Sequence, residues 1–138
     1  MLRHLTTLTE ILMASYWLFA FLLAFGLISI DPSLMYSDYE NPRVVAWNWS
    51  FFPIDIAFVL LGLTATFADL KPALRERLSA IAATLMLCAG GMAISYWVMT
   101  QEFDVTWWAV NLWLIVLGIL NLTCPTRVGG KTALSSPA

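Results

Sequence analysis

The sequence predicts an all-α membrane protein: an antiparallel four-transmembrane-helix bundle with both termini cytoplasmic. Three observations predict it. Four apolar stretches, at about 8–30, 47–69, 79–100 and 105–123, each come near the ~20 residues an α-helix needs to cross ~30 Å of hydrocarbon. The chain is 60% apolar and 12% charged, against about 25% charged in an average soluble domain. Its charges alternate from one connection to the next. Arg3, Lys71, Arg75, Arg77, Arg127 and Lys131 fall on one side of a chain that crosses four times, and Asp31, Asp38, Glu40, Glu102 and Asp104 fall on the other, with Arg43 the lone cation there. Short connections rich in Lys and Arg stay cytoplasmic, so the 31–46 and 101–104 connections are expected outside. The chain then divides into one four-span domain, 1–124, and a disordered cytoplasmic tail, 125–138, whose Pro, Gly and Ser content suits an unstructured end.

The first stretch is expected to begin near Thr7 or Leu8 and stop before Asp31-Pro32, because proline disfavours helix at the residue before it. It is too long for a signal peptide and lacks a small-residue cleavage site before Asp31, which makes it an uncleaved span. The longest connection follows, ending at Trp47 and Trp49, amphipathic rings of the kind that settle at headgroup level. The second stretch ends at Asp69-Leu70-Lys71-Pro72, and Glu76 and Arg77 are placed to begin an interfacial helix leading into the third. Trp107 and Trp108 mark the start of the fourth, and Pro125 its end. Short turns between spans two, three and four force antiparallel neighbours. Cys88 and Cys124 lie too far apart in depth for a disulfide, and Cys88 reads as a small buried residue. The Asn48-Trp49-Ser50 sequon is discounted because it lies against the membrane.

Lipid does not reward burial of one apolar face, so the informative signal is where small and polar residues align. In span two, Asn48, Asp55, Val59, Gly62 and Thr66 step by three and four along one helix face. Asn111 and Gly118 do so in span four, Glu10, Trp17 and Ala20 in span one, and Ala82, Met86, Ala89, Ala93 and Tyr96 in span three. These stripes read first as the helix interfaces, and a ligand cavity is compatible with the same interior.

Asp55 is the sharpest residue. With a helix running unbroken from Trp47, it lies about 12 Å inward at 1.5 Å per residue, where a carboxylate is costly and faces a cavity, a partner or a proton path. Asn111 and Tyr96 are expected at similar depth. Asp55, Asn111, Tyr96, Asn48 and Trp108 then form a polar pocket in the outer half of the bundle. The alternative starts the regular helix at Phe52 or Pro53 and puts Asp55 in its first turn, near water, where free amides and the helix dipole favour a carboxylate. Both readings stay open. Trp17, near mid-membrane, is a further candidate to line a cavity. Glu10 is expected just inside the cytoplasmic end, snorkelling or paired with Arg3 or Arg77. With a single histidine, His4, outside the membrane, and no phosphate-loop, dinucleotide or zinc-protease motif, the residues indicate no catalytic group, metal or cofactor. Nothing points to nucleic acid.

At Ser37-Asp38-Tyr39-Glu40-Asn41-Pro42 and Val45-Ala46-Trp47-Asn48-Trp49-Ser50-Phe51-Phe52-Pro53-Ile54-Asp55 the chain resembles the small uncharacterised YvaD-like membrane proteins of bacteria. The resemblance covers residues 16–63, with the second half alike only in hydropathy. It implies three or four spans and a bacterial cell membrane, and carries no activity. Three functions are weighed. The first is a plasma-membrane protein that binds a lipid-like ligand or a partner protein around Asp55. The second is a small homodimeric proton- or cation-coupled transporter. The third is an intramembrane enzyme on an isoprenoid or sterol-like substrate with Asp55 as general acid. The missing catalytic constellation favours the first.

Overall fold

The computed structural model describes residues 1–31 and 38–124. The expected tail and the 32–37 part of the long connection lie outside the described residues. Five helices follow in order: α1 (Leu2–Ala24), α2 (Pro42–Ser50), α3 (Phe52–Phe67), α4 (Pro72–Thr100) and α5 (Val105–Thr123). No strand occurs among the described residues. Four helical segments are long and apolar enough to cross a membrane: α1, α2 with α3, α4 and α5.

The helix ends have local causes. α1 begins at Leu2 and stops at Ala24, earlier at both ends than expected. Gly26, at φ +67°, is in the left-handed region. Its N–H donates to the Leu23 carbonyl while that of Leu27 donates to Leu22. This is a Schellman closure, which glycine accommodates without a Cβ clash. α4 closes the same way at Gln101 (φ 58°), with Glu102 N–H donating to the Trp97 carbonyl. Asn41 caps α2 by accepting from Arg43 N–H at 3.0 Å, ahead of Pro42 in the first turn. Asp104 caps α5 by accepting from Trp107 N–H at 2.9 Å. α2 and α3 meet at Phe51, where Pro53, in the next turn, has no N–H to give.

The tightest packing joins α4 and α5. A Cβ on Gly90 would lie 2.5 Å from the Asn111 carbonyl oxygen, and one on Gly118 would lie 2.9 Å from that of Ala83. Small residues here let two backbones approach as side chains elsewhere would not allow. α3 packs on α4, and α1 on α3. The α1–α5 contact is thinner and is tied by two side-chain bonds, Asn121 Nδ2 to Thr6 Oγ1 (2.9 Å) and Trp113 Nε1 to Thr9 Oγ1 (3.0 Å).

The stripes of small and polar residues are mostly buried, with Thr66 and Tyr96 only half-buried. Trp17, Ala20, Asn48, Asp55, Val59, Gly62, Ala82, Met86, Ala89, Ala93, Asn111 and Gly118 are all buried. Cys88 is a correction: it lies exposed on the outer face of α4, as a free thiol like Cys124. Glu10 is another. Because α1 starts at Leu2, Glu10 is more than two turns into the helix and 2% exposed, its carboxyl group pressed on Gly62 of α3. It pairs with neither arginine. Arg3 donates instead to the Thr66 carbonyl at 2.9 Å, near the C-terminus of α3, where a cation meets unsatisfied carbonyls.

Candidate functional site: a cavity beside Asp55

The site begins with the break at Phe51. Because α3 starts at Phe52, Asp55 falls in its first turn, and its N–H donates to the Phe51 carbonyl at 2.9 Å. The side chain turns inward and is 5% exposed. The two sequence readings of Asp55 therefore meet in one residue, which stands at a helix start and is also buried. One turn of α1 reaches it: Trp17 Nε1 donates to Asp55 Oδ2 at 3.0 Å. Asp55 Oδ1 is buried and has no hydrogen-bond partner among the described residues. A buried polar atom without a partner costs free energy.

Asp55 lines a cavity of about 530 Å³ walled by all four of the membrane-length helical segments. That is within the range of small-molecule sites, roughly 300–1,000 Å³. Its polar groups are few: Asp55, Asn48 and Asn111, with Tyr16, Thr9 and Thr106. Tyr16 hydroxyl donates to Asn48 Oδ1 at 3.2 Å, and Asn111 Nδ2 donates to the Trp107 carbonyl at 2.9 Å. The remaining wall is apolar or aromatic, with Met13, Trp17 and Phe51 on one side and Trp107, Val110, Trp113 and Leu114 on the other. Trp17 is held edge-on by Tyr16 and Phe52, at ring-centroid separations of 5.3 and 5.1 Å. No Lys, Arg or His lines the cavity among the described residues.

Of the five residues read from the sequence as one pocket, Asp55, Asn48 and Asn111 come together here. Tyr96 and Trp108 do not line the cavity. Tyr96 stacks on Trp47 at 4.1 Å, while Trp97, its neighbour, is buried. Trp108 lies against Phe103, and Trp107 takes the cavity wall. The physical reason is the same at both places. From Ala93 and from Asn111 the helix offers inward neighbours three or four residues away, and the packing selects the four-residue step. Tyr16, Trp107 and Trp113 are wall residues that sequence reasoning missed. Trp107 and Leu114 carried a usable signal, being four and three residues from Asn111 on one helix face.

Comparison with known proteins places the chain. The profile of a family described as a family of unknown function (DUF5360) matches residues 2–126. The chain belongs to that family. It is 30% identical over 128 residues to a Bacillus subtilis (strain 168) protein named "Uncharacterized protein YvaD", with 92% of each chain covered. The likeness noted at residues 16–63 thus extends through all four apolar segments. No solved structure matches it.

A second, smaller cavity of about 170 Å³ lies at the other end of the α1–α3 contact. Glu10, Arg3, Arg75 and Glu76 are its charged lining residues, beside Thr6, Ser79 and Asn121. Glu10 Oε2 and Arg75 Nε are both buried without partners among the described residues.

Proposed function

We propose that this family member is a multi-pass protein of the bacterial cell membrane that binds a lipid-like ligand in the cavity beside Asp55. Its spans form an antiparallel bundle with both termini cytoplasmic, which puts the Asp55 cavity in the outer half. The observation that carries the reading is a buried carboxyl group with one oxygen unpartnered, in the wall of a large, mostly apolar cavity. A mostly apolar space with a few fixed polar groups suits a molecule that has one polar end. The α1–α3 pairs Arg3–Thr66, Glu10–Gly62 and Trp17–Asp55 support the antiparallel arrangement, since they run up one helix and down the other.

The test is photo-crosslinking of purified protein in nanodiscs with a diazirine-bearing alkyl probe. Labelling is expected on the cavity faces of α1 and α5, competed by unlabelled probe and lost in Ala93→Phe, which fills the cavity from a buried position. Labelling confined to the outward faces, unchanged in Ala93→Phe, would refute the reading.

A second reading, a small homodimeric proton- or cation-coupled transporter, draws support from Glu10. It is a second buried carboxyl group, lining a separate cavity along the same α1–α3 contact. Uptake or efflux in proteoliposomes that follows an imposed ion gradient and is lost in Glu10→Gln would favour it.

A further inference from the structure

The cavity beside Asp55 is open at its side, and its chemistry is asymmetric. α1 and α5 make the thinnest contact between neighbouring spans, tied at Thr6–Asn121 and Thr9–Trp113. Beyond the second tie, toward Asp104, the lining includes the exposed Leu12, Ala109 and Val110. Leu12 is 60% exposed and Val110 47%. In a bilayer those residues meet acyl chains rather than water. At the back of the cavity stands one carboxyl group without a counter-cation, amid Tyr16, Trp17, Phe51, Trp107 and Trp113. Aromatic faces around an uncompensated carboxyl group are the means by which proteins hold organic ammonium groups, combining an ion pair with cation–π attraction. A ligand with an anionic head would meet the Asp55 carboxyl group and no basic residue among the described residues.

We propose that the cavity takes a lipophilic ammonium compound, an alkyl chain bearing a protonated amine, which enters from the membrane between α1 and α5 and places its amine against Asp55. The chain lies along that exposed lining, and the ammonium supplies the donor that the unpartnered carboxyl oxygen lacks. This inference rests on the binding reading above and assigns its ligand class and route.

The experiment uses the full chain in nanodiscs and three probes with one chain length: dodecylamine, dodecanol and dodecyl sulfate. Each competes with the photo-crosslinking alkyl probe. The amine is expected to compete about tenfold better than the alcohol, the ratio that one charge-assisted hydrogen bond supplies, and the sulfate worst. Asp55→Asn should abolish the preference for the amine while leaving competition by the alcohol. The route is tested in a Cys88→Ala, Cys124→Ala background carrying Leu12→Cys and Val110→Cys. A reducible bismaleimide across the two thiols should slow labelling about tenfold or more, on the scale of 1.4 kcal/mol per decade, and reduction should restore it.

The outcomes separate. Amine and alcohol competing equally in the wild type, a contrast that needs no variant to fold, overturns the ammonium assignment and leaves the binding reading in place. An unchanged labelling rate after cross-linking overturns the route alone. Absence of competable labelling by any probe removes the binding reading and this inference together.

Discussion

Gly62 and Glu10 offer the most direct check on how α1 meets α3. Replacing Gly62 by alanine sets a methyl group on the Glu10 carboxyl group, overlapping Oε1 and lying 2.5 Å from Cδ and 3.1 Å from Oε2. Glu10 is 2% exposed, so to make way its carboxyl group must swing off α3 into the small cavity it lines. Overpacking of this kind costs about 1–3 kcal/mol. Alanine in place of a helical glycine returns about 1 kcal/mol through helix propensity. The net expectation for Gly62→Ala is thus a loss of about 0–2 kcal/mol. In a Glu10→Ala background the obstruction is gone, and the same substitution should stabilise by about 1 kcal/mol. The coupling between the two sites is then ~1–3 kcal/mol. Reversible unfolding by sodium dodecyl sulfate in mixed micelles, followed by circular dichroism, gives all four corners of the cycle. If Gly62→Ala shifts stability equally in both backgrounds, within about 0.5 kcal/mol, the burial of Glu10 against α3 is refuted.

Four further outcomes are expected. Gly90→Ala meets a backbone oxygen at 2.5 Å, with Ile115 Cγ1 at 3.0 Å. It should cost about 2 kcal/mol net of the helix-propensity gain, with no rescue by Ile115→Ala because the carbonyl cannot turn aside; full rescue in the same unfolding assay would count against the close α4–α5 approach. Trp17→Phe keeps a ring but loses the donor to Asp55 Oδ2; a loss of about 1–3 kcal/mol is expected, larger than for Asp55→Asn, whose amide oxygen still accepts. Asp104→Ala should cost about 1 kcal/mol through the lost α5 cap, with Asp104→Asn close to wild type in thermal unfolding. With Cys88 and Cys124 replaced by alanine, Glu40→Cys in intact cells should react with an impermeant maleimide and Arg77→Cys only after permeabilisation; the reverse pattern would invert the proposed orientation.

Much of the architecture was legible in local chemistry. Four apolar lengths near ~20 residues mark four helices long and apolar enough to cross a membrane, because a helix satisfies its own backbone in hydrocarbon. Asn41-Pro42 and Asp104 announce helix starts through side-chain oxygens that accept the first free N–H groups. Gly26 announced the end of α1, a signal that the continuing apolar run to Ile30 obscured. The stripes of small and polar residues identified the buried faces because three- and four-residue steps return to one side of any helix.

Within those faces the sequence was degenerate, and packing decided. A 3.6-residue turn leaves neighbours three and four residues away on either flank of one direction, so Tyr96 and Trp97, or Trp107 and Trp108, were equally eligible for the interior. The rotation of α4 against α5 chose Trp97 and Trp107, and that rotation is set where Gly90 and Gly118 let the two backbones close. Spacing along the chain likewise left Asp55 at a helix start or in a buried pocket. It is both, because α1 lays Trp17 over the first turn of α3 and shuts it from solvent. Sequence alone determined how many segments of this chain can cross a membrane and roughly which face of each turns inward, since both follow from helix period and hydrocarbon thickness. Only the tertiary structure decided which of those residues share a cavity, because that depends on how each helix is turned and how closely its neighbours approach.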